Sequence, residues 1–241
     1  MKKIIALVTF FVSFNLLAQE QLYKVTLLRA KPGALLELID LIKKDINNHE
    51  EVTQDKPYLL RHSQGDHWDL MVIYPIESLD KYFSEKSMEK RSMSLTLEKV
   101  YADTFFDLVS FQEEAIVSGP TKSDFNGSLE KFNLFHIEIF TALAGKQDAL
   151  IDQRKAENVY YAGIDHRPNF IFTRVFGPSW DSFTLGGYED LHEFAGPKIS
   201  FEAEDKAAKD AGFEGVNYIG SYLRSLIAEH HDTLAYKVNP E

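Results

Sequence analysis

The sequence of 241 residues contains no cysteine. This absence excludes disulfide bonds, a thiolate nucleophile and lipid attachment through an N-terminal cysteine. A protein without disulfides must be stabilised by burial of its core, and a chain of this length can bury a sufficient one.

Basic residues are scarce as well. There are 26 Lys and Arg residues against 37 Asp and Glu residues, which gives a formal net charge of −11. A negative charge of this size disfavours nucleic acids and anionic membrane surfaces as partners, although it is also an ordinary charge for a soluble protein. The sequence therefore predicts neither a nucleic-acid partner nor a membrane partner.

Long hydrophobic runs are missing, since no segment reaches the roughly 18 apolar residues of a membrane-spanning helix. The N-terminus has Lys2 and Lys3, a mostly apolar stretch over 4–17 and the small residue Ala18. This pattern predicts a signal peptide over residues 1–18 and export to the periplasm or the medium. Loss of the two lysines would change the net charge from −11 to −13. An uncleaved N-terminal anchor is the alternative.

The rest of the chain contains an internal repeat, which is sought before other features. A shift of 112 positions aligns residues 22–83 with 134–195 without a gap and gives twelve identities. The only two tryptophans, Trp68 and Trp180, align with each other, and each lies in a Gly-x-x-Trp-Asp sequence. The nature of these matches, more than their number, indicates a duplication.

Both copies show the same order of elements. Runs of β-branched, aromatic and alternating residues predict three strands in each copy, with a helix after the first strand and another after the third. A last short strand ends each copy. The predicted strands are Tyr23–Leu28, Tyr58–Ser63, Trp68–Tyr74 and Glu114–Val117 in the first copy, and Phe135–Phe140, Phe170–Phe176, Trp180–Leu185 and Thr233–Lys237 in the second.

The order β-α-β-β-α-β is that of a ferredoxin-like unit, and the predicted fold class is therefore α+β. We expect one unit over residues 19–119, a linker over 120–131 that is rich in turn-forming residues, and a second unit over 132–241. The two units are expected to pair within one chain, so that a monomer contains an internal pseudo-dimer. Further assembly stays open.

The first strand runs into Lys31-Pro32-Gly33 and a helix, and the later hairpin closes on Trp68-Asp69. This arrangement resembles the dimeric α/β-barrel superfamily, which includes antibiotic-biosynthesis-type monooxygenases, NIPSNAP-like proteins and haem-degrading monooxygenases. The resemblance implies two units that pair their sheets into a barrel, with a ligand cavity inside the barrel or between sheet and helices. The catalytic residues of its characterised subfamilies do not match this chain, so the resemblance implies no specific activity.

Alternation divides the predicted strand residues into two faces. One face is apolar in both copies, and we expect helices to cover it; it comprises Tyr23, Val25, Leu27, Met71 and Ile73, and their counterparts Phe135, Ile137, Ile139, Phe183 and Leu185. The other face is then expected to line the barrel interior. It comprises Lys24, Thr26, Leu28, Trp68, Leu70 and Val72, and their counterparts His136, Glu138, Phe140, Trp180, Ser182 and Thr184.

The second copy carries most of the polar residues of this interior face, so a site is expected mainly there. His136 and Glu138 stand two residues apart on one strand and should lie close together. A carboxylate beside an imidazole favours its charged form and orients it, as a general base requires. We predict these two as catalytic residues; a structural ion pair is the alternative.

The predicted ligand-binding residues are Trp68, Trp180, Ser182, Thr184 and Arg174. The two tryptophans could flank a flat aromatic or haem-like ligand by stacking, or they could simply fill the barrel. Arg174 could bind an anion or lie at the surface. Asp69 and Asp181 are expected to cap turns or to bind a neighbouring strand.

Glu229-His230-His231-Asp232 is the densest group of potential metal ligands. Adjacent histidines point apart in a strand, and the chain has no helical His-x-x-x-His spacing, so no metal site is predicted. The group follows a helix predicted over Val216–Ala228, where positive charge would stabilise the helix end. The sequence also has no glycine-rich phosphate loop and no nucleophile elbow.

Three functions remain open at this point. The first is an enzyme that acts on a small aromatic or quinone-like compound, similar to the cofactor-independent monooxygenases. The second is a non-catalytic binder of a hydrophobic ligand such as haem, and the third is a structural or interaction module. No cofactor is predicted, with haem as the one possibility retained.

Overall fold

The structure, a computed structural model, describes residues 21–53, 57–89 and 99–239. The predicted signal peptide over residues 1–18 lies outside the described residues. Within them, no helix combines the length and the apolar character needed to cross a membrane.

Eight antiparallel strands form one closed barrel in the order β1-β3-β2-β8-β5-β7-β6-β4. The predicted α+β class is therefore confirmed, and the barrel closes within one chain. The first unit contributes β1 (Gln21–Ala30), β2 (Tyr58–Gln64), β3 (Leu70–Ile76) and β4 (Val109–Gly119). The second contributes β5 (Leu134–Ala142), β6 (Phe170–Phe176), β7 (Ser182–Tyr188) and β8 (Ile227–Val238).

Helices cover the outside of the barrel and connect its strands. Those of the first unit are α1 (Leu35–Thr53), α2 (Leu79–Tyr82) and α3 (Lys99–Leu108), and α4 (Lys122–Lys131) joins the two units. Those of the second unit are α5 (Gln147–Gly163), α6 (Leu191–Ala195), α7 (Phe201–Asp210) and α8 (Val216–Arg224). In the second unit, α7 packs against both α5 and α8 and adds a second helical layer.

The two units meet along two strand pairs, β2 with β8 and β4 with β6. Within each unit the register repeats: Thr26 pairs with Val72, and its counterpart Glu138 pairs with Thr184. Asp69 and Asp181 also have equivalent roles, because each carboxylate accepts a backbone N–H at 2.8 Å, from Ala30 and Ala142. The duplication is thus present in the architecture as well as in the sequence, and the expected role of these two aspartates is confirmed.

The barrel interior is filled by the face that the sequence analysis placed under the helices. One apolar cluster contains Tyr23, Val25 and Leu27 of β1, and their counterparts Phe135, Ile137 and Ile139 of β5. It draws on all eight strands, which can meet only inside a barrel. The prediction that Lys24, His136 and their face line the interior is therefore wrong, except for Trp68 and Trp180, which belong to this cluster. The interior of an eight-stranded barrel is wide enough for its own side chains or for one small ligand, and here apolar side chains of both units fill it.

Helix α4 closes one end of the barrel. It begins after Thr121, whose side-chain oxygen accepts the N–H of Asp124 at 3.3 Å. The buried residues Phe125 and Leu129 lie four positions apart on one face of the helix and join the interior cluster. The Phe125 ring packs edge-on against four other aromatic rings, those of Tyr23, Tyr58, Phe170 and Phe172. The predicted linker is therefore a structural plug.

Two other differences concern element boundaries. The last strand of each unit is longer than predicted, so that Glu229-His230-His231-Asp232 lies within β8. Helix α8 ends at Arg224 and not at Ala228, and the proposed role of the histidines at a helix end is therefore wrong.

A glycine in the β2–β3 turn allows the two units to approach each other closely. Gly65 has a φ of +116°, and a Cβ atom there would lie 1.8 Å from the backbone oxygen of Asp232 on β8. Its counterpart Gly177 has a φ of +123° and faces the backbone of Glu114 on β4. These contacts explain why glycine stands at this position in both copies.

We expect Gly65→Ala to destabilise the protein more than Gly33→Ala does. Both positions have positive φ, which costs roughly 1–2 kcal/mol for a residue with a Cβ atom. Gly33 has a φ of +85°, and the space that a Cβ atom would occupy there is empty. Gly33→Ala therefore measures the cost of positive φ alone. Gly65→Ala should lower the free energy of unfolding by about 1–3 kcal/mol more, because β8 must shift. Urea denaturation measures both, and equal losses would contradict the close approach.

Candidate functional site

A polar cluster lies on the outer face of the second unit, between the sheet and helix α5. Glu138 on β5 is directly opposite Asp232 on β8 and Thr184 on β7. Side chains two residues away along a strand point to the same side, so His136 and His230 share this face. The barrel register therefore gathers residues that lie far apart in the sequence.

Glu138 is at the centre of the cluster and is buried, with 8% of its surface exposed. Its Oε2 accepts a hydrogen bond from the Thr184 hydroxyl at 2.9 Å and lies 3.5 Å from a guanidinium nitrogen of Arg154. Its other oxygen, Oε1, lies 3.3 Å from Nε2 of His230. Both carboxylate oxygens are thus held by named partners, which fixes the orientation of the group.

Arg154 of α5 is buried and connects Glu138 to a second carboxylate. It forms an ion pair with Glu157 one turn later on the helix, and its Nε donates to Gln153 Oε1 at 2.7 Å. The Tyr161 hydroxyl donates to Glu157 Oε1 at 3.0 Å. The helix therefore presents an ordered polar network to the sheet.

Asp232 lies between the two histidines, nearer to solvent. Its Oδ1 is 3.0 Å from His136 Nε2 and 3.5 Å from His230 Nε2. An ionised carboxylate can only accept, so His136 donates from Nε2, and in the neutral imidazole Nδ1 is then the proton acceptor. The His230 ring also stacks on Phe140, with 4.8 Å between the ring centres and an interplanar angle of 5°.

The protonation states follow from these contacts. Burial favours a raised pKa for Glu138, but the His230 hydrogen bond and the Arg154 charge outweigh it and hold the pKa below its usual value. The hydrogen bond to Glu138 raises the pKa of His230, and the hydrogen bond from His136 lowers that of Asp232. Both carboxylates are therefore ionised at neutral pH.

Aromatic rings stand at the edge of the cluster. Phe194 of α6 lies against His136, with 5.3 Å between the ring centres, and packs edge-on against Tyr188 at 5.2 Å. Burial raises the pKa of Tyr161 and, together with the charge of Glu138, that of Tyr188, so both phenols stay neutral. The site combines charged groups at its base with aromatic surface beside them.

The first unit is an internal comparison for this site. The repeat maps Glu138 and Arg154 onto Thr26 and Ile42, and Ser182 and Thr184 onto Leu70 and Val72. Ile42, Leu70 and Val72 belong to the apolar cluster under α1. The polar contacts there include a partly exposed ion pair between Lys24 and Glu114 at 2.6 Å and a hydrogen bond from the Tyr74 hydroxyl to Asp45 at 3.0 Å. The same place in the fold is thus an apolar core in one unit and a charged cluster in the other.

Four of the seven predicted site residues lie together. His136, Glu138 and Thr184 form the cluster, and Ser182 lies on the same face with its hydroxyl buried and without a hydrogen-bond partner. The predicted asymmetry between the copies and the proximity of His136 and Glu138 therefore agree with the structure. The closest polar contact of His136, however, is with Asp232 at 3.0 Å, and that of Glu138 is with Thr184 at 2.9 Å.

The other three predicted residues lie elsewhere. Trp68 and Trp180 belong to the apolar cluster inside the barrel, so their predicted position beside His136 is wrong. The Trp180 Nε1–H donates to Glu113 Oε2 at 2.8 Å, while the Trp68 Nε1 is buried without a partner. Arg174 binds Asp181 at 2.6 Å and the backbone oxygen of Pro178 at 2.8 Å, and so braces the β6–β7 turn.

Arg154, His230 and Asp232 belong to the site but were not predicted from the sequence. Arg154 was detectable, because the apolar stripe of α1 includes Ile42 and the repeat puts arginine at the equivalent position of α5. His230 and Asp232 were not, since their strand was predicted to begin only at Thr233. Their spacing of two residues becomes informative only once they lie within a strand.

A separate cavity of about 340 Å³ lies beside α4, at the plugged end of the barrel. Its lining includes the apolar side chains of Phe132, Phe170 and Leu185 and the basic side chains of Lys131 and Arg167. The Arg167 guanidinium stacks on the Phe132 ring at 4.3 Å and pairs with Glu193 at 2.6 Å. No histidine lines this cavity.

The chain is similar to known proteins in its three-dimensional structure and not in its sequence. No family model matches the chain, and no curated protein matches it in sequence. An anthrone oxidase-like protein is 11% identical, with a TM-score of 0.61 over 92% of this chain and 93% of that one.

Two further solved structures are similar. A provisionally named monooxygenase from Lactobacillus acidophilus is 10% identical, with a TM-score of 0.50 over 92% of this chain and 95% of that one. A provisionally named chlorite dismutase is 13% identical, with a TM-score of 0.52 over 92% and 96%. At these identities the likeness establishes the fold alone, and the chain has the dimeric α/β-barrel fold that the sequence resemblance implied.

Proposed function

We propose that the second unit binds a small aromatic or quinone-like compound at the polar cluster and catalyses its oxidation by O₂. One observation carries this proposal: the two copies differ at equivalent buried positions, where the second has Glu138 and Arg154 and the first has Thr26 and Ile42. A buried ion pair is generally no more stabilising than apolar residues of similar size. The first unit demonstrates that this fold accepts such residues, so the charged cluster needs a reason other than stability.

The chemistry of the cluster suits proton removal from an aromatic compound. Asp232 orients His136, whose Nδ1 is free to accept a proton, and Phe194 provides aromatic surface next to the imidazole. A proton acceptor placed in this way typically contributes a factor of about 10²–10⁴ to the rate. The fold likeness to an anthrone oxidase-like protein and to a named monooxygenase supports this class of reaction.

The overall reaction is balanced without another reductant. For anthrone, His136 accepts a proton from the methylene carbon, and the resulting anion passes electrons to O₂. That carbon becomes a carbonyl with one oxygen atom, and the second oxygen atom leaves as water with the two hydrogens. Anthrone is therefore a suitable probe compound. A hydroquinone is a second one, because loss of two protons and two electrons to O₂ converts it to the quinone and gives hydrogen peroxide.

We predict that the purified protein consumes O₂ with at least one of these probes and that His136→Ala lowers the rate by roughly 100-fold or more. An oxygen electrode measures the rate, and calorimetry measures binding of the probe. Lys24→Ala is the matched control, because Lys24 occupies the equivalent position in the first unit. It should leave the rate unchanged.

The alternative outcomes are distinct. Binding of a probe without O₂ consumption would indicate that the protein is a non-catalytic binder and not an enzyme. Absence of binding by both probes, or equal loss of rate in His136→Ala and Lys24→Ala, would overturn the proposal. A thermal melt of each variant separates loss of function from loss of folding.

Haem is the other ligand that the sequence left open. Haem iron needs an axial ligand, and His136 and His230 are partly exposed imidazoles that could supply one. The 340 Å³ cavity, however, has no histidine in its lining, so its residues do not fit haem. We derive no step through haem, and the absorbance spectrum of the purified protein tests this alternative directly.

We also propose that residues 1–18 direct export. The support is the order of charged, apolar and small residues at the N-terminus. Fractionation of expressing cells, with N-terminal sequencing of the exported protein, tests the proposal, and a mature chain that begins at Gln19 is the expected result.

A further inference from the structure

We propose that Glu138, His230 and Asp232 form a binding site for a divalent transition-metal cation. The proposal deepens the function proposed above, since it adds a cation to the same site, but it does not depend on the identity of the substrate. If the cation takes part in turnover, the oxidation is not cofactor-independent.

The distances agree with a preformed metal site. His230 Nε2 lies 3.3 Å from Glu138 Oε1 and 3.5 Å from Asp232 Oδ1, and one ligand atom from each residue lies within 4.8 Å of the others. Metal–ligand distances of about 2.0–2.2 Å place neighbouring ligand atoms roughly 3.0–3.5 Å apart. Small side-chain adjustments therefore suffice to bind an ion.

Surrounding groups orient these ligands. Thr184 and Arg154 both hold Glu138 Oε2, which leaves Oε1 directed to His230. His136 contacts Oδ1 of Asp232 at 3.0 Å, the same oxygen that faces His230, and so fixes the position of that ligand atom. Hydrogen bonds of this kind, from outside the ligand set, are typical of protein metal sites.

The charge balance points in the same direction. The cluster contains the carboxylates of Glu138, Glu157 and Asp232, but only one permanent cation, Arg154. Two negative charges therefore remain uncompensated while the histidines are neutral, and one divalent cation would balance them. Protonation of both histidines is the competing explanation, and direct binding measurements distinguish the two.

The donor set indicates the class of metal. One imidazole with two carboxylates suits Zn²⁺, Fe²⁺, Mn²⁺ or Co²⁺ better than Ca²⁺ or Mg²⁺, which prefer oxygen ligands alone. The first unit has no equivalent site, because by strand register Gln112 stands in the place of His230. We therefore expect one ion per chain.

The test is calorimetric titration of the chelator-treated protein with Co²⁺ and Zn²⁺, together with the visible absorption of bound Co²⁺. We expect one equivalent to bind, and His230→Ala to weaken binding by at least about tenfold. Thr184→Val, which copies the first unit, should also weaken it. His231→Ala is the matched control, because this neighbour points to the opposite side of β8, and it should bind as the parent does.

Lack of binding at millimolar metal, or equal weakening in His230→Ala and His231→Ala, overturns the proposal. Circular dichroism confirms that the variants are folded. Because the titration contains no substrate, the two proposals fail separately. If the protein binds an aromatic probe but no cation, only the metal-site proposal is contradicted. If it binds the cation but no probe, only the proposed function is contradicted.

Discussion

Arg154→Ala should lower the free energy of unfolding by about 3–5 kcal/mol, because it leaves a buried carboxylate without its countercharge. Arg154 has 3% of its surface exposed and pairs with both Glu138 and Glu157. Removal of one partner from a buried pair is far more destabilising than removal of the pair. Equilibrium urea denaturation at neutral pH measures the loss.

The matched control is the double variant Glu138→Thr with Arg154→Ile, which installs the residues of the first unit. This variant should be clearly more stable than Arg154→Ala, because it removes the buried carboxylate of Glu138 together with its countercharge. Glu157 keeps its hydrogen bonds from Gln153 and Tyr161. It should also lose binding of the aromatic probe. If it were as unstable as Arg154→Ala, the charged cluster would be structural, and the observation that carries the proposed function would be lost.

Phe125→Ala should cost about 3–5 kcal/mol of unfolding free energy, the range for truncation of a buried aromatic residue. The Phe125 side chain is fully buried at the plugged end of the barrel, where it contacts rings from three strands, β1, β2 and β6. Its loss leaves a cavity that the closed barrel cannot collapse to fill. Thermal and urea unfolding both report the change.

Phe106→Ala provides the comparison for this variant, because Phe106 is 64% exposed. An exposed substitution of this kind normally changes stability by no more than about 0.5 kcal/mol. A loss below about 1 kcal/mol for Phe125→Ala would mean that α4 does not close the barrel in solution. In that case the segment over 120–131 would be the simple linker that the sequence predicted.

The segment over 120–131, predicted to be a linker, contains a sequence signal for a helix. Thr121 precedes Asp124, as a helix cap requires, and Phe125, Leu129 and Phe132 follow at helical spacing. The segment also contains Pro120, Gly127 and several polar residues, which are typical of a loop. The segment forms a helix in spite of this composition, because the open end of the barrel offers those three apolar side chains a buried position.

The duplication, the order of the elements and the side chains that share each strand face can be read from the sequence. Trp68 and Trp180, which precede β3 and β7, are the exceptions. These features depend on local periodicity and on comparison of the two copies, and both can be read without knowledge of the fold. The grouping of His136 and Glu138 with Ser182 and Thr184 follows from them. So does the concentration of polar residues in the second unit.

Only the tertiary structure decided which face lies inside. Each strand is covered on both sides, by the barrel interior and by helices, so alternation separates two faces without telling which is which. Closure of the barrel resolves this, because its narrow interior accepts only the apolar face of both units. Closure also brings β8 beside β5, and so gathers Asp232 and His230 around Glu138 across more than 90 positions of sequence.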